Sequence, residues 1–170
     1  VTITRVQSGD RKILAICNRD LTEEKMMQAK VAQVNERIRL MFDSTPLCCT
    51  LLDEDFKGID CNQAAVKLYG MSNKEEYLPN FHKIFPEYQP NGFRSIDFFR
   101  EKVKEAFQKG RVDFEGMTQN MQGEEIPVEV VFIPLLMNND TPTVAGYARD
   151  LRERKLLEKT EALSEIKMQF

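Results

Sequence analysis

The chain has 170 residues, 42% hydrophobic and 30% charged, the composition of a globular protein with one well-cored domain plus extensions. Its 24 basic and 27 acidic residues leave a formal net charge of −3 with no basic stripe, which argues against nucleic acid as a partner. The longest apolar runs, such as Val130 to Met137, fall far short of a membrane span and contain Pro134, which argues against direct membrane contact.

Val1 to Leu21 reads as a β-hairpin, with strands Val1 to Val6 and Lys12 to Cys17 around a turn at Ser8-Gly9-Asp10. Laid without gaps against Val131 to Lys155, residues Val1 to Lys25 are identical at nine of the 25 positions. Arg-Asp-Leu-x-Glu-x-Lys occurs in both copies, each time at a strand-to-helix switch. The repeat implies that residues 1–21 are the last two strands of an upstream domain of the same kind as the one that follows. No signal-peptide pattern is present, and Val1 reads as an internal position of a longer chain.

Thr22 to Phe42 lacks Pro and Gly and is rich in helix formers, with Asp20 or Thr22 as cap and Glu23 and Glu24 suited to the first turn. We assign residues 22–43 to a linker or cap helix. Met27, Val31, Val34, Ile38 and Met41 recur at alternating spacings of 4 and 3, a heptad seam. Either that seam pairs with its twin in a homodimer, or it covers the outer face of the domain's own sheet over Val131 and Ile133. The sequence leaves both open. Pro46 ends the helix.

Leu47 to Leu52 and Phe56 to Cys61 read as strands around a turn at Asp53-Glu54-Asp55. Asn62 to Gly70 is a short helix capped by Asn62 and closed by Gly70, burying Ala65, Leu68 and Tyr69. Ser72 to Leu78 is a second short helix, capped by Asn73 or Ser72, and Phe81 to Phe85 is an apolar turn halted by Pro86. After a loop at Tyr88 to Gly92, Ser95 caps a longer helix to Lys109 whose Ile96, Phe99, Val103, Ala106 and Phe107 face a sheet. Three antiparallel strands follow. Val112, Phe114, Gly116 and Thr118 alternate in the first, Ile126, Val128, Val130 and Phe132 share a face in the second, and Thr143 to Ala148 makes the third. Asn120 to Gly123 and Asn138-Asn139-Asp140 supply the turns. Leu151 to Phe170 is a second charged helix, with Leu156, Leu163 and Ile166 on one side. It reads as a coiled-coil linker rather than a frayed tail.

Both blocks of strands must share one sheet, since neither alone buries its apolar face. The short helices then close over that face, and a pocket between sheet and lid is expected. Its candidate lining is Leu51, Ile59, Leu68, Tyr69, Phe81, Phe85, Phe99, Val103, Phe114, Val128, Val130 and Val144. Residues at such spacings more often form plain core. Tyr69 stands apart, since its hydroxyl would put a polar point in a greasy cavity. No nucleophile–base pair assembles around His82, the single imidazole, and there is no Gly-rich phosphate loop, so no catalytic residue is assigned. Cys17, Cys48, Cys49 and Cys61 lack metal spacing and read as free thiols of a cytoplasmic protein, with no metal site.

The order of elements, the stretch Asp60-Cys61-Asn62-Gln63-Ala64-Ala65-Val66-Lys67-Leu68-Tyr69-Gly70 and the ending Ala148-Arg149-Asp150-Leu151 resemble a PAS domain, over about Glu36 to Leu151. Phe85-Pro86-Glu87-Tyr88-Gln89-Pro90-Asn91-Gly92 is similar to a loop of one subgroup of multi-PAS signalling proteins. The resemblance implies an α+β fold, a five-stranded antiparallel sheet in the order 2-1-5-4-3, with short helices on one face and long helices at both ends. It places the PAS domain at 44–151 and a signalling helix at 152–170. It also implies a sensory or dimerising module of a bacterial signal-transduction protein, coupled to an upstream PAS unit and to a kinase or diguanylate cyclase output domain. A relay that binds no ligand is the alternative. Haem-binding relatives carry a His in the longer helix, and flavin photosensors a Cys in an Asn-Cys-Arg-Phe-Leu-Gln type motif. Neither pattern is present, so the expected cofactor is none or an unknown small molecule. The family often ends in Asp-x-Thr, where this chain has Asp150-Leu151-Arg152, which puts tight strand-to-helix coupling there in doubt.

Overall fold

The computed structural model describes residues 2–8, 11–17, 22–136 and 142–168, with side chains for 22–135 and 142–164. The chain divides into two compact units, Val1–Met41 and Phe42–Phe170. In the first, β1 (Thr2–Ser8) and β2 (Arg11–Cys17) form an antiparallel two-stranded sheet. Ile3 pairs with Ile16, whereas Ile133 pairs with Ala145 in the later copy of the repeat, so the two hairpins differ in register by one residue. The helix α1 (Thr22–Ser44) starts in this unit and carries no buried side chain.

The second unit contains β3 (Cys48–Asp53), β4 (Gly58–Cys61), α2 (Gln63–Leu68), α3 (Lys74–Asn80) and a 3-10 turn at Phe81–Ile84. After these come α4 (Ser95–Lys109), β5 (Val112–Gln119), β6 (Glu125–Leu136), β7 (Pro142–Asp150) and α5 (Arg152–Met168). The sheet is antiparallel in the order β4-β3-β7-β6-β5, the expected 2-1-5-4-3 once its strands are counted from β3. Helices α2, α3 and α4 contribute with its inner face to one core.

Local chemistry sets these elements. Asn62 and Asn73 cap α2 and α3 by accepting from Ala65 N and Glu76 N, and Gly110 closes α4 at a φ of 81°, where glycine pays no steric penalty. Across the sheet, Thr50, Gly146, Phe132 and Val112 form one inward row, and Cys48, Ala148, Val130 and Phe114 the next. The small residues of β7, the central strand, leave room for rings. A Cβ on Gly146 would come within 2.9 Å of Phe132 Cε1, and one on Gly116 within 2.9 Å of Phe99 Cζ.

Several expectations need correction. Ser95 does not cap α4: Arg94 occupies that position with no side-chain bond, and the Ser95 hydroxyl turns inward to accept from Gln89 Nε2 at 2.7 Å. Phe107 lies on the flank of the helix stripe and is 38% exposed, although Phe99, Val103 and Ala106 are buried as the spacing predicts. β4 begins at Gly58 and not at Phe56, because Phe56 takes a φ of 66° and belongs to the turn. The predicted turns at Gly9-Asp10 and Asn138-Asn139-Asp140 lie outside the described residues.

Candidate functional site

Between the inner face of the sheet and the helices lies a cavity of about 40 Å³. β3 supplies Cys48, Thr50 and Leu52 to its wall, β5 and β6 supply Thr118, Val128, Val130 and Phe132, and β7 supplies Gly146 and Ala148. From the helical side come Phe56, Tyr69, Tyr77, Phe81, Ile84, Phe85 and Phe99. Phe56 is central. Its ring stacks on Phe99 at 5.7 Å and tilts against Phe81 at 5.4 Å and Phe85 at 5.3 Å. The left-handed backbone that aims it inward costs about 1–3 kcal/mol. That conformation is held by Asp53, whose carboxylate accepts from the N–H groups of Asp55 (3.0 Å) and Lys57 (2.8 Å) while its carbonyl accepts from Phe56 N–H.

The polar points of this cavity are satisfied ones. Thr50 Oγ1 and the Tyr77 hydroxyl lie 2.9 Å apart, Thr118 Oγ1 donates to the Ile126 carbonyl at 2.9 Å, and the Tyr69 hydroxyl meets Thr118. Burial raises the pKa of both tyrosines and of Cys48 well above their ordinary values. Burial also pushes the thiols of Cys49 and Cys61 up to about 11 and about 12. Each of these groups is therefore neutral near pH 7, and the cavity offers packing and hydrogen bonds rather than proton transfer or a thiolate.

Of the predicted lining, Tyr69, Phe81, Phe85, Phe99, Val128 and Val130 meet at the cavity. Val103 and Val144 are buried in the surrounding core, and Leu68 and Phe114 pack half-buried against it. Leu51 and Ile59 do not belong. Leu51 lies on the opposite face from Thr50 and Leu52, and Ile59 is 42% exposed. β3 is apolar on both faces, so alternation cannot fix which face is inner, and the register of β3 with β4 slips between Leu51 and Leu52. Tyr77 was missed because it follows Glu75 and Glu76 in a short helix with no apolar stripe to mark its buried face. Thr118, although placed in the alternating row of β5, is absent from the predicted lining because it is polar. Phe132 was readable by alternation.

Both ends of this unit are fastened to the sheet. At the incoming end, the buried Asn62 amide accepts from Cys49 N (3.0 Å) and Ala65 N (3.1 Å) and donates to Leu47 O (2.8 Å) and Phe42 O (3.3 Å). Asp43 beside it accepts from Gln63 N at 3.2 Å and pairs with Lys74 at 3.0 Å. At the outgoing end, Leu151 is buried and its N–H reaches the Pro127 carbonyl at 2.9 Å. Asp150 accepts from Arg152 N–H at 2.9 Å and holds the Arg152 guanidinium through Oδ2 at 2.6 Å. The sequence left this junction in doubt for want of a Thr; arginine makes the link instead. Burial pulls the Asp150 pKa up, but the bonds from Arg152 outweigh it and the net direction is down. Farther along α5, Arg154 and Lys155 pair with Glu115 of β5 at 3.5 and 3.0 Å.

On the long helices, Met27, Val31, Val34, Ile38 and Met41 of α1 and Leu156 and Leu163 of α5 are all exposed, and the Ile166 side chain lies outside those described. Among the described residues no group of three His, Cys, Asp or Glu could hold a metal, and no helix is long and apolar enough to cross a membrane.

A family model described as PAS domain matches residues 46–153. Among solved structures, the PAS domain of an HTR-like protein from Haloarcula marismortui is 18% identical with a TM-score of 0.57, over 74% of this chain and 98% of that one. A PAS domain from a two-component sensor histidine kinase is 14% identical with a TM-score of 0.56, over 71% and 98%. One from Colwellia psychrerythraea is 19% identical with a TM-score of 0.56, over 71% and 98%. No curated protein matches the chain.

Proposed function

The chain belongs to the PAS domain family, a family of sensory modules that are not themselves catalytic, and from that premise we propose that it relays a signal by changing how α5 sits on the sheet. The observation that carries this reading is the fastening of α5. Its first turns touch three strands: β7 through Asp150, β6 through the Pro127 carbonyl and β5 through Glu115. A shift in sheet packing thus has a short path to the outgoing helix, as a population shift between two seatings requires. We read α1 and α5 as coiled-coil seams of a homodimer, with residues 1–21 ending an upstream PAS unit and a kinase or cyclase output beyond residue 170. The protein is read as cytoplasmic, in keeping with the free thiols of Cys48, Cys49 and Cys61.

Spin labels at Glu161→Cys, read across the dimer, test this directly. A Leu151→Ala change should broaden the distance distribution. An unchanged distribution, or a strict monomer in sedimentation equilibrium, would sink the reading.

The cavity favours a second, compatible reading. At about 40 Å³ it has room for about two or three water-sized groups, against about 300–1,000 Å³ for an ordinary ligand pocket. That size supports either a ligand-free relay or a ligand of a few atoms, and weighs against a haem or flavin. An absorption spectrum of purified protein, followed by mass spectrometry after denaturation, tests it. The expected spectrum has no Soret or flavin band.

A further inference from the structure

We infer that Gln89 is a positioning residue: a strap that pins edge strand β5 and, through Glu115, sets the seating of α5. The loop that carries it is closed on itself, with Gln89 N–H donating to Phe93 O at 2.8 Å, Gly92 N–H donating to Gln89 O at 2.8 Å and Tyr88 bridged to Arg94. From this closed loop the Gln89 side chain runs inward and is buried. Its Oε1 accepts from Met117 N–H at 2.7 Å, and its Nε2 donates to Met117 O at 2.9 Å and to Ser95 Oγ at 2.7 Å. The amide thus satisfies Met117 as a neighbouring strand would.

Met117 needs such a partner. β5 is at the edge of the sheet, and Met117 forms a non-hydrogen-bonded pair with Pro127. The Pro127 carbonyl faces Leu151 on the far side of β6, and the Met117 N–H and C=O point out over the open edge. These are the groups bound by Gln89, so the strap closes the open edge at that point. Two residues away on the same strand, about 7 Å along it, Glu115 holds Arg154 and Lys155 of α5. Gln89, Pro90, Phe98, Met117 and Lys155 wall one groove of about 280 Å³, so loop and outgoing helix face the same space. A displaced strap would release Met117, loosen this stretch of β5 and move the carboxylate to which α5 is tied.

This inference rests on α5 being the output element, and the test separates the two. Amide exchange is followed residue by residue on the full chain, in Gln89→Met, which keeps the side-chain volume but cannot pair with Met117, and in Leu151→Ala. Gln89→Met should speed exchange about ten-fold at Met117 and measurably at 153–158. Faster exchange at Met117 with α5 unchanged would overturn the coupling, and no change at Met117 would overturn the strap itself. If Leu151→Ala loosens α5 and Gln89→Met does not, only the strap falls. If neither loosens it, the relay reading falls as well. Should Gln89→Met fail to fold, Glu115→Gln carries the test in reverse, because coupling is reciprocal: Met117 exchange should rise, and an unchanged rate would overturn the proposal.

Discussion

The two ends of the PAS unit are fastened by different kinds of bond. At the incoming end, one buried amide makes four hydrogen bonds, and Lys74, only 14% exposed, closes over Asp43. The outgoing end has one buried apolar anchor, Leu151, and beyond it ion pairs among side chains that are about half exposed, such as Arg154 with Glu115. Buried hydrogen bonds are costly to break, because each group left unpaired forfeits about 1–3 kcal/mol. Exposed pairs contribute about 0–1 kcal/mol and are screened by salt. By these magnitudes the incoming end is the harder of the two to break and the outgoing end the easier, the asymmetry that the proposed relay calls for.

The largest expected effect breaks the harder end. Asn62→Ala leaves Cys49 N–H, Leu47 O and the start of α2 without their partner in a buried place. We expect a loss of about 3 kcal/mol or more, read as a fall in the urea midpoint. A loss below 1 kcal/mol would show that the incoming end is not the rigid one. Next is the apolar anchor. Leu151→Ala should cost about 2–3 kcal/mol and loosen α5 more than β3 or β4. If hydrogen exchange rises equally in both places, the ends are not mechanically distinct.

Much of this contrast was legible before the structure. Alternation put Ile126, Val128, Val130 and Phe132 on the buried face, and Asn62 was recognised as a helix cap. A cap assignment accounts for only one of the amide's four bonds. The others reach Cys49, Leu47 and Phe42, which are distant in sequence and become neighbours only once β3 is paired. The phase of β3 was unreadable for the reason that makes it a good central segment: both faces are apolar. Gln89 reads only as part of a loop, and nothing in the sequence shows that the outward N–H and C=O of Met117 on the edge strand meet its amide. Long-range polar pairings of this kind carry no periodic signature.

pH should separate the two ends from opposite sides. Cys49 and Cys61 adjoin the incoming clamp, and burial raises both thiols, to about 11 and about 12 from 9.0. A raised folded pKa means stability present below the unfolded value and lost as pH climbs from 9 toward 12. Asp150, at the outgoing end, has its pKa lowered on balance, so its contribution is present at neutral pH and is lost as pH falls below the ordinary value of 3.8. Urea midpoints measured from pH 3 to 11 should fall at both extremes. The alkaline loss should persist in Asp150→Asn, and the acid loss should shrink there.

The smallest effect on stability is the most telling one for function. Glu115→Gln removes the charge that holds Arg154 and Lys155, both exposed pairs, so the global loss should stay below about 1 kcal/mol. Because the pairs are screened, wild-type protein in about 1 M salt should imitate the variant, whereas Asn62 bonds should be indifferent to salt. If α5 exchange rises in Glu115→Gln and in high salt while exchange at Cys49 and Ala65 stays fixed, the soft end moves independently of the hard one. If salt loosens both alike, the unit yields as a single body, and the seating of α5 has no freedom of its own to carry a signal.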